Sequence, residues 1–390
     1  MVFSEEGGWL LNEFQVVILL VAPATIQYPD DMKSKLRYYL FLPFSLLYGL
    51  VTYFRNKLFD EELLSGYTSV IPTILVGNLT VGGTGKTPHI EYLIELLRDK
   101  YRVAVLSRGY KRISKGFVLA NPSSSVLDLG DEPYQLFTKF PDIILAVDAD
   151  RVNGVKQLEQ LPVPPDVILL DDAFQHRYIR CDLQILLTDK KRLYVDDSVL
   201  PGGLLREYKS GSKRADIIVV TKCDTASNEF FFENIRTRIN PTSYQNLYFS
   251  SIQYASLKAV FNTDIEPLKL SELKGMQILL VTGIVNNKPI IETLQEHGAM
   301  LNCISYPDHH QFSVHNYAEI EREFVYLQNN KKLLVVTEKD AARIVKDASF
   351  PVTLKQYTFS LPISVKILEN KKESFDNQIL NYVAKNKRNS

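Results

Sequence analysis

An α/β protein is predicted: a parallel sheet with helices on both faces, a second and smaller α/β lobe, and an apolar helix near the N-terminus. Three observations carry this. Short apolar runs alternate with helical patterns from residue 73 to about 220, a glycine-rich turn joins the first run to the first helix of that series, and a second, shorter alternation begins near residue 278. At 390 residues and roughly 150 per domain, two packed units are expected. The 45 basic and 45 acidic residues cancel, and 45% of the chain is apolar against 23% charged. That balance excludes a disordered chain and a generally basic nucleic-acid footprint. Cys181, Cys223 and Cys303 stand far apart with no CxxC pair, which argues against a disulfide framework or a zinc cluster and for a reducing cytoplasm.

Residues 1–31 hold five acids and no Lys or Arg, unlike the basic start of a secretory signal. Met32 is the expected working start, and 1–31 form an extension of uncertain status. In residues 32–60, Lys33, Lys35 and Arg37 precede a stretch without charge, residues 38–54, which Arg55 and Lys57 close. As a helix that stretch reaches roughly 25 Å, short of the roughly 30 Å hydrocarbon slab, and Pro43 and Gly49 are expected to interrupt it. It is therefore read as a peripheral or monotopic membrane helix, with Leu, Phe and Tyr in the acyl boundary and the basic collars at anionic headgroups.

Residues 61–240 form the expected core. The apolar runs 73–76, 103–106, 143–147, 167–170, 183–187 and 217–220 are its strands, and Ile90, Leu93, Ile94 and Leu97 fall at helical spacing, so that one helix face covers the sheet. Residues 241–274 read as a linker or small β element. Residues 275–390 read as the second α/β lobe, ending in a basic, frayed tail.

The most informative stretch is Thr73-Ile-Leu-Val-Gly-Asn-Leu-Thr-Val-Gly-Gly-Thr-Gly-Lys-Thr-Pro88, a strand, a glycine turn and a helix start in that order. Such a turn lets backbone N–H groups curl around phosphate oxygens, a lysine meet the terminal phosphates and a threonine ligate Mg²⁺. The dipole of the following helix favours the same anion. The sheet is thus P-loop NTPase-like, with Thr80, Val81, Gly82, Gly83, Thr84, Gly85, Lys86 and Thr87 as the candidate ATP-binding residues. Thr80 stands where the usual GxxxxGK[ST] pattern has glycine. The strand 167–170 then ends in Asp171 and Asp172, the Walker B arrangement, whose adjacent carboxylates suit a Mg²⁺ site. His176 fits packing or a substrate pocket equally.

Together with that loop, Ser107-Arg-Gly-Tyr-Lys111, Gly130-Asp-Glu-Pro133, Asp171-Asp-Ala-Phe-Gln-His176, Pro201-Gly-Gly-Leu-Leu-Arg-Glu207 and Pro307-Asp-His-His-Gln-Phe312 resemble the tetraacyldisaccharide 4′-kinase family of lipid A biosynthesis. Ala173 stands where members usually show Gly. The resemblance implies transfer of the γ-phosphoryl group of ATP to the 4′-hydroxyl of a tetraacyldisaccharide 1-phosphate, giving lipid IVA. It also implies a place on the cytoplasmic face of the inner membrane of a Gram-negative bacterium, with a lipid disaccharide as partner, no nucleic acid and no obligate protein partner.

On residues alone, Asp131 is either a loop carboxylate or the N-cap of the helix that follows. The resemblance makes it the catalytic base, paired with His309 first and His310 second. Lys86, Asp171 and Asp172 complete the catalytic set, and Thr87, Asp171 and Glu132 are the expected metal ligands. Asn78, Arg108, Gln175, His176 and Arg206 are the candidate substrate contacts, Arg108 and Arg206 through guanidinium forks that suit phosphate. The rival is a P-loop GTPase or metallochaperone, because Val220-Thr-Lys-Cys-Asp224 resembles the Asn-Lys-x-Asp guanine reader. Thr221 replaces its Asn, and no Asp-x-x-Gly switch follows Asp172.

Overall fold

A computed structural model describes residues 32–386 except Thr263 and His309, with side chains from Leu40 onward. The extension 1–31, the tail 387–390 and the expected pairing of His309 lie outside the described residues. In chain order the main elements are α1 (Met32–Asp60), β1 (Thr73–Asn78), α2 (Lys86–Leu97), β2 (Val103–Ser107), α3 (Asp131–Lys139), β3 (Ile144–Val147), α4 (Arg151–Glu159), β4 (Val167–Asp171), β5 (Leu183–Asp189), β6 (Ile217–Thr221), α5 (Glu229–Ile239) and β7 (Asn246–Tyr254). They continue with β8 (Gln277–Thr282), α6 (Lys288–Glu296), β9 (Met300–Ser305), α7 (Val314–Tyr326), β10 (Lys332–Thr337), α8 (Glu338–Ile344), β11 (Thr358–Leu361), β12 (Ile363–Ile367) and α9 (Lys372–Asn386).

The chain divides into two compact units. The first comprises the residues up to Ser69, Ile74–Lys86 and Asp172–Phe249. Its strands run parallel in the order β7, β6, β5, β1, with Ile74 opposite Leu183, Ile185 opposite Ile217 and Asn246 also opposite Ile217. β1 and β6 are buried along their whole length, as parallel strands covered on both faces are.

α1 corrects one expectation. The helix runs unbroken for 29 residues through Pro43 and Gly49, about 43 Å at 1.5 Å per residue. Pro43 removes one backbone donor, but the turns after it are held by contacts of their own. Ser45, Tyr48, Gly49, Thr52 and Phe59 recur at helical spacing on the buried side. Gly49 is a close approach rather than a break, since a Cβ there would stand 2.4 Å from the Tyr208 hydroxyl. The Gly202 N–H donates to Ser45 Oγ (2.8 Å), Tyr48 Oη donates to the Arg206 carbonyl (2.8 Å), and Asn56 donates to Glu207 (2.6 Å). The usual amphipathic arrangement is inverted: hydroxyls face inward, while Leu40, Phe44 and Leu47 are 68%, 62% and 64% exposed. Among the described residues no helix is long and apolar enough to cross a membrane.

The second unit comprises Val70–Thr73, Thr87–Asp171 and Ser250–Ser390. β4, β2 and β3 run parallel, edged by the short antiparallel strand Val118–Leu119. Ile90, Leu93, Ile94 and Leu97 are the buried face of α2, as their spacing predicts. A five-stranded sheet takes the order Lys258–Ala259, β11, β10, β8, β9. Alternation along β8 sends Leu279 and Val281 toward Tyr317, Ile320 and Phe324 of α7, and Ile278 and Leu280 toward Ile290 and Leu294 of α6. Helices therefore cover both faces.

The expected linker 241–274 contains β7, a nine-residue strand whose first part pairs with β6 and whose second part, from Ser250 on, pairs antiparallel with β12. The compact units consequently cut across the sequential partition at 240 and 274. α9 also leaves the later segment: Tyr382 Oη donates to the Thr73 carbonyl (2.9 Å) and Tyr92 Oη to Asp376 (2.5 Å).

Lys139 joins three helices of this unit, lying 2.8 Å from both Glu91 of α2 and Glu338 of α8. Burial pushes the Glu91 carboxyl up to about 7, against the pull of the Lys139 ammonium. A carboxyl raised in the folded state stabilises fully below its ordinary value near 4.5 and loses that contribution as pH rises through 7. Glu91→Gln, which stays neutral, is therefore expected to melt several degrees above the wild type at pH 8, with the gap closing toward pH 5. Thermal melts across that range check it.

Candidate active site

In the first unit the glycine turn is tied down from behind. Val81 N–H donates to the Leu204 carbonyl (2.8 Å), Arg206 N–H to the Leu79 carbonyl (2.7 Å), and Thr80 bridges Leu205. Segment 201–207 is thus the backing of the turn, and the N–H of Val81 is already committed. Thr80, where glycine was expected, is buried in this bridge, a place that needs no glycine freedom. Gly82 (φ 112°) and Gly85 (φ 88°) supply the curl, and a Cβ at Gly82 or Gly83 would meet nothing within 4 Å. The crest of the turn therefore faces open space. Asn78 reaches up from β1 and donates to Thr84 Oγ1 (2.9 Å), so this expected substrate contact braces the turn.

The motif resembling a guanine reader does the same work. Thr221 Oγ1 donates to the Thr84 carbonyl (2.8 Å), and Lys222, in a left-handed conformation (φ 59°), donates to the Gly83 carbonyl and pairs with Asp189 at 2.8 Å. Asp224 is paired with Lys190. With their carbonyls held there, residues 83 and 84 are fixed from the β6 end.

Lys86 opens α2, its ammonium 3.6 Å from Asp172. Arg206 lies 2.9 Å from the same Asp172 oxygen and 3.3 Å from Gln175 Oε1. Asp172 takes a left-handed conformation (φ 48°), while Ala173 does not; its carbonyl accepts the His176 N–H at 2.8 Å. The turn therefore closes with a methyl group where a glycine was expected, because the positive φ falls one residue earlier. Gln175 donates to the Asn78 carbonyl (3.0 Å) and to Glu207 (3.1 Å). Glu207 is buried and also accepts from Asn56 and Arg214. This carboxylate gathers Asn56 of α1, Gln175 and Arg214 onto segment 201–207. His176 lines a cavity of about 410 Å³ with Phe59, Arg177 and Arg214 at the foot of α1.

The second unit holds the other candidates. Asp171 ends β4 and accepts from Ser107 Oγ (3.0 Å), while the Arg151 guanidinium reaches its backbone carbonyl (3.3 Å). The two adjacent aspartates thus have separate surroundings, a hydroxyl for Asp171 and two cations for Asp172. Thr87 and Glu132 are half-buried and Arg108 is exposed. Asp131 is the first residue of α3, with Gly130 (φ 87°) at the cap position, so the N-cap alternative fails. The Arg343 guanidinium of α8 donates from Nε to Asp131 Oδ1 (3.2 Å), and Nη2 lies 2.8 Å from Oδ2 as an ion-pair contact without hydrogen-bond alignment. His310, the second choice of partner, instead bonds Asn316 Oδ1 (3.0 Å) and stacks on Tyr306 at 4.5 Å between ring centres. Asp340 of the Thr337-Glu-Lys-Asp run is buried, accepting from Gly283 N–H (3.0 Å) and Thr337 Oγ1 (2.7 Å).

A strand that feeds a glycine turn ending in a lysine at a helix start marks a phosphate-binding protein of the P-loop class. The model of one family, described as tetraacyldisaccharide-1-P 4′-kinase, matches residues 37–384. A Bacteroides thetaiotaomicron protein named tetraacyldisaccharide 4′-kinase is 47% identical over 369 residues, covering 93% of this chain and 97% of its own. One of the same name from Flavobacterium johnsoniae is 45% identical, covering 89% and 97%. The crystal structure of LpxK from Aquifex aeolicus in complex with ATP superposes with a TM-score of 0.70 at 31% identity, covering 89% of this chain and 99% of that one. The chain belongs to the tetraacyldisaccharide-1-P 4′-kinase family.

Proposed function

We propose that this chain transfers the γ-phosphoryl group of ATP to the 4′-hydroxyl of a tetraacylated glucosamine disaccharide 1-phosphate, making lipid IVA at the cytoplasmic face of a Gram-negative inner membrane. The observation that carries this reading is the braced glycine turn with Lys86 at its helix end, in a chain of this family. The turn's N–H groups and Lys86 bind the phosphates of ATP, and the dipole of α2 adds to that attraction. Asp131 accepts the proton of the 4′-hydroxyl as the new O–P bond forms and ADP departs. Arg206, held between Asp172 and Gln175, and the exposed Arg108 contact the substrates' anionic groups.

Thr87 and Asp171 offer a hydroxyl and a carboxylate, the hard oxygen donors that Mg²⁺ prefers, with Glu132 as a third candidate. Among the described residues no three His, Cys, Asp or Glu side chains gather for a metal. When bound, Mg²⁺ neutralises charge on the transferring phosphoryl group.

The outward apolar face of α1 supports membrane association, since an acceptor with four acyl chains is best met without leaving the bilayer. Replacing Leu40, Phe44 and Leu47 together by Ser is expected to lower co-sedimentation with anionic vesicles at least about tenfold, as each buried side chain contributes about 1.5–3 kcal/mol. ATP turnover on a detergent-dispersed acceptor should change little. Incubating purified protein with labelled ATP and the disaccharide acceptor tests the main reading: a labelled lipid is expected, and its absence under conditions where a relative labels it refutes the proposal.

A further inference from the structure

α8 and the residue two positions beyond its end make three contacts with α3. Lys139 pairs with Glu338 at 2.8 Å, the Lys346 ammonium lies 5.1 Å from the centre of the Tyr134 ring, and Arg343 holds Asp131. The third is built differently, because the arginine is itself fixed. Its side chain is 10% exposed, and Nη1 reaches the His310 carbonyl (3.3 Å) and Asp340 Oδ1 (3.4 Å). Asp340 is fully buried and immobilised by Gly283 and Thr337. Even Gly283 is matched to it, since a Cβ there would stand 3.0 Å from Asp340 Oδ1.

We propose that Arg343 is a positioning residue for phosphoryl transfer: its Nε donates to one oxygen of Asp131 while its charged Nη2 lies against the other, restricting rotation of the carboxylate so that it is held toward the acceptor hydroxyl. The inference rests on Asp131 acting as the base. A guanidinium that hydrogen-bonds one carboxylate oxygen and places a second charged nitrogen against the other restrains the carboxylate more than a single ammonium does. The remaining lone pairs of the two oxygens then have defined directions, and a base held in one orientation reacts without an ordering step. Arg343 gives up no proton itself. The acceptor's proton moves to Asp131 and the ion pair becomes a neutral acid beside a cation.

The test is steady-state kinetics on full-length Arg343→Gln and Arg343→Lys. Gln is expected to lower kcat about 10- to 100-fold while KM for ATP and for the lipid stays within about threefold, the pattern of an interaction acting in the transition state. Lys should recover part of that loss by restoring charge without the fork. A folded Gln variant with kcat within about twofold of wild type, a loss confined to KM, or a Lys variant no better than Gln would overturn the proposal. If Gln does not fold, Lys decides: lowered kcat with unchanged KM supports the role, and wild-type kcat refutes it. Asp131→Asn, assayed alongside, separates the two readings. Near-normal turnover in that variant would remove Asp131 as base, whereas its failure beside an unaffected Arg343→Gln would remove only the arginine's role.

Discussion

Asp131→Asn is expected to lower kcat by about 10²–10⁴-fold, the usual contribution of a positioned general base. The amide is nearly isosteric, keeps an oxygen for the Arg343 guanidinium and cannot accept the acceptor's proton. KM for ATP should move little, since the nucleotide is assigned to the glycine turn and Lys86. The substitution leaves α3 its other anchors, the buried Pro133, Tyr134 and Leu136 and the Lys139 ion pairs, so the melting temperature should stay within a few degrees of the wild type. Turnover within tenfold of wild type in a folded variant would contradict the assignment.

Lys86→Met should be comparably severe for a different reason. The ammonium sits at the start of α2, near Asp172, where it adds a full charge to the partial charge of the helix terminus. Removing one such preorganised donor costs about 10²–10³-fold in kcat, and KM for ATP should rise as well because the ground-state phosphates lose the same partner. The pattern across the two variants is diagnostic: the Asp131 substitution acts on kcat alone, the Lys86 substitution on both parameters. Asp172 keeps Arg206 at 2.9 Å after the change, so the turn does not inherit an unpaired carboxylate. Measuring kcat and KM for ATP at saturating acceptor decides it.

What was legible in the sequence was what neighbours in the chain determine. The strands, the glycine turn and the buried face of α2 were readable because each depends on residues within a few positions of one another. Pro43 and Gly49 look like breaks because local rules weigh intrinsic helix propensity, whereas the cause of Gly49 is a tyrosine 159 positions away, Tyr208. Arg343 was invisible for the same reason. It lies 212 residues from Asp131, and nothing beside it marks it off from any other helical arginine. Glu207 closes the Pro201-Gly-Gly-Leu-Leu-Arg-Glu run, yet only its burial among Asn56, Gln175 and Arg214 makes it a hub. Thr221 departs from the guanine-reader pattern in the sequence, but that it and Lys222 hold the turn's carbonyls shows only in the fold.

The late return of β12 and α9 has a consequence for biosynthesis. Tyr382 meets Thr73 across 309 residues of chain, and Asp376 meets Tyr92 across 284. At about 5–20 residues per second, the ribosome needs about 15–60 s to deliver those partners after their counterparts emerge. Throughout that interval the flank of β7 that β12 will cover stays open, and so does the apolar seat awaiting Phe375, Ile379 and Val383. A nascent chain therefore carries these apolar and strand-edge surfaces uncovered until α9 emerges, and a chain stopped short of α9 would keep the seat of Phe375, Ile379 and Val383 open.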